Sequence, residues 1–324
     1  MISKPLASII SCAGALPETE RTRCAENAAA SVFDIGIPEQ QSRIWRLRQR
    51  EAISQLMKHS LVQALQQVGM RTTEVDYVIV SLVWASNPME KEVADFVRES
   101  DLSCPVLTVS AGTAGGLAAM ELAAGLVERY PTIAVISACC YGHNFNDDDP
   151  AQALLSDGAA CLILRAEAGA EILNFHTIST RDYASLSLHN PGPGWFVSYP
   201  PQAGQYFVEH YPLTAQRACT ELCKKSGINL ADIHHIHVYD PTSWITSRCA
   251  QQLALDSDRF TGISHRFGSL GPAQHLFAFI SMAENRRMTE GECVVLFGFG
   301  PAAVAVAALL RFSPIPVSLT HYPL

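Results

Sequence analysis

Val109-Ser110-Ala111-Gly112-Thr113-Ala114-Gly115-Gly116 stands between an apolar run, Pro105 to Val109, and an Ala-rich run, Leu117 to Val127. A β-branched run, a glycine turn and then apolar residues at a 3.6-residue period predict a strand, a sharp turn and a buried helix. Such a turn lifts one side chain to a helix N-terminus, where free N–H groups and the helix dipole favour negative charge. In an acyl-transfer enzyme the lifted residue is the nucleophile. Here that position holds Thr113.

Around this turn, 324 residues that are 48% hydrophobic provide a large core, enough for two domains or one large α/β unit. A net charge of −8 is the wrong sign for a phosphate-facing surface, so no nucleic-acid partner is expected. No apolar stretch reaches the roughly 18 to 20 residues that span a bilayer, and no membrane association is expected. The run from Leu6 to Leu16 is short and interrupted for a signal peptide and reads as a first strand, Ala7 to Ala13. The ten cysteines contain no C-x-x-C pattern, which argues against a zinc ribbon or a thioredoxin site. Adjacent Cys139-Cys140 and the Cys219/Cys223 pair read as small buried hydrophobes in a reducing, cytoplasmic setting.

A unit occurs twice. Glu51 to Val68 is an amphipathic helix ended by Gly69, followed by a strand, Tyr77 to Leu82. Leu213 to Lys225 is another, ended by Gly227, followed by a strand from Ile233 to Tyr239. Val68-Gly69-Met70 and Ser226-Gly227-Ile228 correspond at an offset of 158. Gly112-Thr113-Ala114-Gly115 and Gly268-Ser269-Leu270-Gly271 correspond at 156, and the strand Thr132 to Ser137 corresponds to Cys293 to Phe297. Alternating β and α elements imply parallel strands with helices on both faces. A duplicated unit implies two halves related by a pseudo-twofold, with a site in the crevice between them.

Other stretches carry two readings each. Residues 17–50 are irregular and polar, and Ser42 to Arg50 is a basic cluster in an acidic chain. It is either a solvated helix face or a landing strip for an acidic partner, with Arg46 and Arg48 as cations and Trp45 free to stack. Asn190 to Gln205 is either a surface loop or a lid whose Trp195 and Phe196 wall an apolar channel. His235 and His237 share a strand face, and Asp147, Asp148 and Asp149 follow one another. No third ligand is spaced to join the histidines, so no metal is expected.

Three stretches together resemble the thiolase superfamily, in its β-ketoacyl-ACP synthase III (KAS III-like) branch, over nearly the whole chain. They are the turn at Thr113, Leu155-Ser156-Asp157-Gly158-Ala159-Ala160, and Val294 to Gly300 followed by an apolar strand. The resemblance implies an α/β, five-layered αβαβα fold made of two pseudo-repeated halves, 1–168 and 169–324. It also implies a dimer formed along the strand that leads into the turn. The reaction needs a thiolate at the helix N-terminus to take the acyl chain. A His and an Asn stabilise the enolate left by malonyl decarboxylation, and two N–H groups hold the oxyanion.

Carried over by position, the nucleophile falls on Thr113, the His on Asp240 (in Asp240-Pro241-Thr242-Ser243) and the Asn on Ser269. The oxyanion donors fall on Thr113 and on Gly300 or Pro301, and a proline there has no N–H. His143 and His275 are the histidines nearest the site, with His275 on an apolar helical run that suits a satisfied core residue.

Two functions remain open. One is a non-catalytic subunit of fatty-acid or polyketide-type secondary metabolism, paired with a cysteine-bearing ketosynthase paralogue. The other is an acyltransferase or starter-selecting enzyme with Thr113 (or Ser110) as acyl acceptor and Asp240 or a histidine as base. Both imply acyl-CoA or an acyl carrier protein as partner, no cofactor, and a homodimer or heterodimer.

Overall fold

The computed structural model describes residues 4–18, 20–23, 42–47, 52–83, 89–141, 154–166, 169–180, 201–300 and 304–322. Its spine is β1 (Ala7–Pro17), a nearly fully buried strand. On one side of β1 lies β7 (Gly158–Arg165), then β6 (Ile133–Cys139), β4 (Tyr77–Val83) and the edge strand β5 (Val106–Thr108). On the other lies β8 (Ala170–Ser179), then β11 (Val304–Arg311), β10 (Cys293–Gly300) and β9 (His235–Val238). The pairing repeats. β7 is antiparallel to β6 and β6 is parallel to β4, just as β11 is antiparallel to β10 and β10 is parallel to β9. Parallel β4–β5 pairing has a one-residue echo, the parallel bridge between Ile236 and Phe260. β1 and β8 pair only over Ala7 to Ile9, where the two half-sheets join.

Side chains alternate across each strand and sort the core into layers. Ala134, Ile136 and Ala138 of β6 pack outward with Leu56, Leu61 and Phe96 from α1 (Ile53–Gln67) and α2 (Met89–Glu99). Ile133, Val135 and Cys139 pack inward on α3 (Gly115–Leu126) and α7 (Gln274–Glu284). In the second half Val294 and Leu296 of β10 join that same central layer. Val295 and Phe297 face α4 (Pro201–Ser226) and α5 (Ser243–Leu253) instead. The result is helix, sheet, helix, sheet, helix, as the resemblance implies.

The helix-ending glycines Gly69 and Gly227 share one left-handed conformation, φ +67° at both. The second Gly-turn match needs a correction. Gly112 (φ +54°) opens a single helical turn that leads into α3, and the residue doing this for α7 is Gly271 (φ +53°), not Gly268. The structural counterpart of Thr113 is therefore Pro272. Residues 17–50 also depart from expectation. Their described parts hold an antiparallel pair, β2 (Glu20–Arg23) with β3 (Ser42–Trp45). α4 is longer than the predicted helix because it begins at Pro201 and runs through Pro212. A strand after β11, β12 (Val317–Tyr322), lies parallel on β1 and was not foreseen.

α3 starts where the halves touch. A Cβ on Gly116 would sit on the Pro272 carbonyl oxygen and 2.9 Å from Ser137 Oγ. Backbone cannot yield as a side chain does, so Gly116→Ala is expected to destabilise by about 3 kcal/mol despite its better helix propensity. Gly125, in the same helix, has nothing within 4 Å of its added Cβ. Gly125→Ala is expected to stabilise by about 1 kcal/mol. Denaturant midpoints of the two variants should move in opposite directions, and a shared direction would refute the packing argument.

Candidate active site

β5 delivers the chain to Gly112, whose left-handed backbone turns it onto α3. Thr113 lands there buried, and its hydroxyl donates to the carbonyl of Phe299 at the end of β10. The alternation Gly298-Phe299-Gly300 is what lets β10 lie on the turn. A Cβ at Gly300 would meet the Ala111 carbonyl, and one at Gly298 would lie 2.7 Å from His275 Nε2 and 3.0 Å from Ala114 Cα. Gly300 is thus brought to Thr113, while Pro301 lies outside the described residues.

Asp240 follows β9 and is fully buried. Its Oδ2 accepts from the backbone N–H of Ile263 (2.8 Å) and Ser264 (3.2 Å), at the start of α6 (Ser264–Phe267). Its Oδ1 accepts from Gln274 Nε2 at 2.8 Å, and Gln274 Oε1 in turn accepts from the N–H of Leu270. Burial pushes the Asp240 carboxyl up to about 7, against the pull of these donors. Both of its oxygens hold loops together.

Ser269, also fully buried, pairs its hydroxyl with the Tyr239 phenol at 2.7 Å. Its backbone bonds to Leu154 and Ser156, which ties the Leu155-Ser156-Asp157 stretch to the second half. Asp157 accepts from the N–H groups of Tyr141 and Leu47, and Arg46 NH1 approaches it at 3.6 Å. Here the exposed landing strip is corrected. Trp45 and Arg46 are buried, because Arg46 neutralises a buried carboxylate instead of facing solvent. Arg48, Trp195, Phe196 and His143 lie outside the described residues.

His275 is a core residue but not a satisfied one. Its ring lies between Gly298 and the Thr113 backbone, edge-on to His237 at 5.3 Å, and neither nitrogen makes a well-formed hydrogen bond. Burial and the neighbouring ring hold His275 well below the usual histidine range. His237 donates from Nδ1 to Thr261 O and is pushed down by burial to about 4. Both imidazoles are neutral at pH 7. His235, at the start of β9, instead meets Glu292 at 3.0 Å.

An open cleft of 770 Å³ runs along α5, lined by Ser243, Trp244, Thr246, Ser247, Arg248 and Ser264, with Asp240 beneath. Gly262 leaves it open, since a Cβ there would stand 3.1 Å from Asp240 Oδ2 and 3.2 Å from Thr246 Oγ1. Sequence reasoning missed this cleft, along with Tyr239, Gln274 and the Phe299 carbonyl. Ser243, Thr246 and Ser247 place hydroxyls on its wall, but no local pattern in the sequence makes that run a cleft.

Comparison with known proteins follows the same lines. A family model described as the C-terminal part of 3-oxoacyl-[acyl-carrier-protein (ACP)] synthase III matches residues 223–312. The β-ketoacyl-[acyl-carrier-protein] synthase III of Rhodospirillum centenum is 23% identical over 273 residues, covering 81% of this chain and 84% of that protein. The protein of the same name from Clostridium perfringens is 20% identical over 276 residues, covering 81% and 85%. Among solved structures, 3-oxoacyl-(acyl carrier protein) synthase III (FabH) from Pseudomonas aeruginosa superimposes with a TM-score of 0.81 at 19% identity, covering 95% of this chain and 99% of that one. Xanthomonas campestris OleA reaches 0.81 at 15% identity, covering 96% and 98%.

Proposed function

This chain belongs to the thiolase superfamily, in its KAS III-like branch, and from that premise we propose that it has lost the condensing reaction. In this reading it serves as the non-catalytic partner of a cysteine-bearing ketosynthase in fatty-acid or polyketide-type biosynthesis. One observation carries the proposal. The Thr113 hydroxyl donates its hydrogen bond to the Phe299 carbonyl, which is no base, so this partner does not activate it as a nucleophile. The positions expected to stabilise an enolate are committed elsewhere, Asp240 to two loops and Gln274, Ser269 to Tyr239.

Among the described residues β5 is the last strand of its half-sheet, and Leu107 on it and Leu122 on α3 are large hydrophobics left 40% and 45% exposed. An edge strand that carries an exposed leucine suits pairing with a second subunit, this chain or its paralogue. The polar cleft along α5, with exposed Arg248 at its rim, suits the amide-bearing arm of acyl-CoA or of an acidic carrier protein better than an acyl chain.

The competing reading makes Thr113, or exposed Ser110, an acyl acceptor from acyl-CoA or acyl-carrier protein. Mass spectrometry after incubation with acyl-CoA decides between them. We expect no acyl mass on the protein alone, and turnover only when the paralogue is co-expressed. An adduct that Thr113→Ala or Ser110→Ala removes would overturn the subunit reading.

A further inference from the structure

The family match ends at Phe312, but the chain continues into β12. β8 pairs with β1 only over Ala7 to Ile9, and β12 takes the rest of that edge, with Cys12 opposite Val317 through to Pro17 opposite Tyr322. Gly14 makes room for it, since a Cβ there would lie 3.0 Å from Leu319 and 3.1 Å from Phe277. The strand grips the first half through its side chains. Ser318 meets Gln67 at 2.5 Å, Thr320 meets His59 at 2.9 Å, and the Tyr322 ring packs at a tilt against His59 with centroids 4.5 Å apart. The His321 ring packs at a tilt of 37° against Trp45, with centroids 4.3 Å apart.

Trp45 connects this strand to the site. Its backbone N–H donates to Ser156 Oγ (3.1 Å) and its carbonyl accepts from the N–H of Asp157 (2.8 Å). The Ser156 N–H donates to the carbonyl of Ser269 (2.7 Å), whose hydroxyl holds Tyr239. We infer that residues 313–322 form a strap that seats Trp45, and through Ser156 fixes Ser269 at the bottom of the site. His321 therefore occupies a Trp45 face that the sequence alone offers to a ligand ring. The strap is a positioning device, and it acts whether or not the site turns over.

Amide hydrogen exchange on the full chain, on a variant cut after Phe312 and on the double variant His321→Ala/Tyr322→Ala tests this. Losing two ring contacts should speed exchange at Trp45, Leu47 and Ser156 by about tenfold, while α4 and α5 keep their protection. The double variant carries the test where the cut chain fails to fold. Unchanged exchange at Trp45 and Ser156, or a loss spread evenly over the molecule, would overturn the strap.

Discussion

The stability advantage of the wild-type protein over Asp240→Asn is expected to fall by about 3 kcal/mol between pH 4 and pH 7. The Asp240 carboxyl ionises near 3.8 in an unfolded chain and near 7 when folded, because burial disfavours its charge. Folding therefore prefers the protonated acid. Its contribution is complete below pH 3.8 and is lost as the pH rises through 7. His237 works in the opposite sense. Burial lowers it from 6.5 to about 4, so its contribution is complete above pH 6.5 and about 3 kcal/mol of it is lost as the pH falls to 4. His275, lowered by burial and by His237, adds to the same side.

The two slopes oppose each other in one window. Two histidines against one carboxyl leave wild-type stability rising from pH 4 to 6.5, and the Asn variant, with the carboxyl's opposing slope removed, should rise more steeply. Cys249 and Tyr211 stand near Asp240, but burial raises both, so thiol and phenol stay neutral throughout. Denaturant unfolding across this range, wild type against variant, is the measurement. Parallel curves would show that Asp240 is ionised in the fold, with its three N–H donors outweighing burial.

Why the sequence revealed the elbow and not its neighbours follows from how each is encoded. The turn at Gly112 is local, written in consecutive residues by a β-branched run, a glycine and a helical period. The repeat was legible for the same reason, since Gly69 and Gly227 are each required by a helix end. Gly268 misled because it too has positive φ, at +63°, although Gly271 is the residue that opens the turn into α7. Arg46 looked exposed because its partner, Asp157, lies far along the chain, and no local pattern records a buried ion pair of that span. The cleft along α5 was invisible because Gly262 and Thr246 define it only once two loops are packed. β12 offered only a short run after two prolines, and its strand character comes from the β1 edge that it completes.

Thr113→Cys is expected to gain an acyl group from acyl-CoA and still form no condensation product. The turn should activate a thiol. It sits at the N-terminus of α3, where the helix dipole lowers a thiol's pKa, and a thiolate attacks thioesters without the strong base a hydroxyl needs. The second half-reaction fails for separate reasons. An enolate needs hydrogen-bond donors that strengthen as its charge develops, and each missing donor costs roughly 10² to 10³ in rate. Asp240 directs none at the turn, because both of its oxygens are held at the loops by Ile263, Ser264 and Gln274. Ser269 is shorter than an Asn and is held by Tyr239. With two donors gone, the deficit is about 10⁴ or more relative to a complete site. Intact-protein mass should show the acyl adduct on Thr113→Cys, and a malonyl-dependent product assay should stay at background. Product from that single substitution would mean that Tyr239 or His275 already supplies the missing donors, and the non-catalytic reading would fall. Adding Asp240→His and Ser269→Asn should not simply rescue the reaction, since the first breaks the hold on the loop at Ile263 and the second crowds Tyr239.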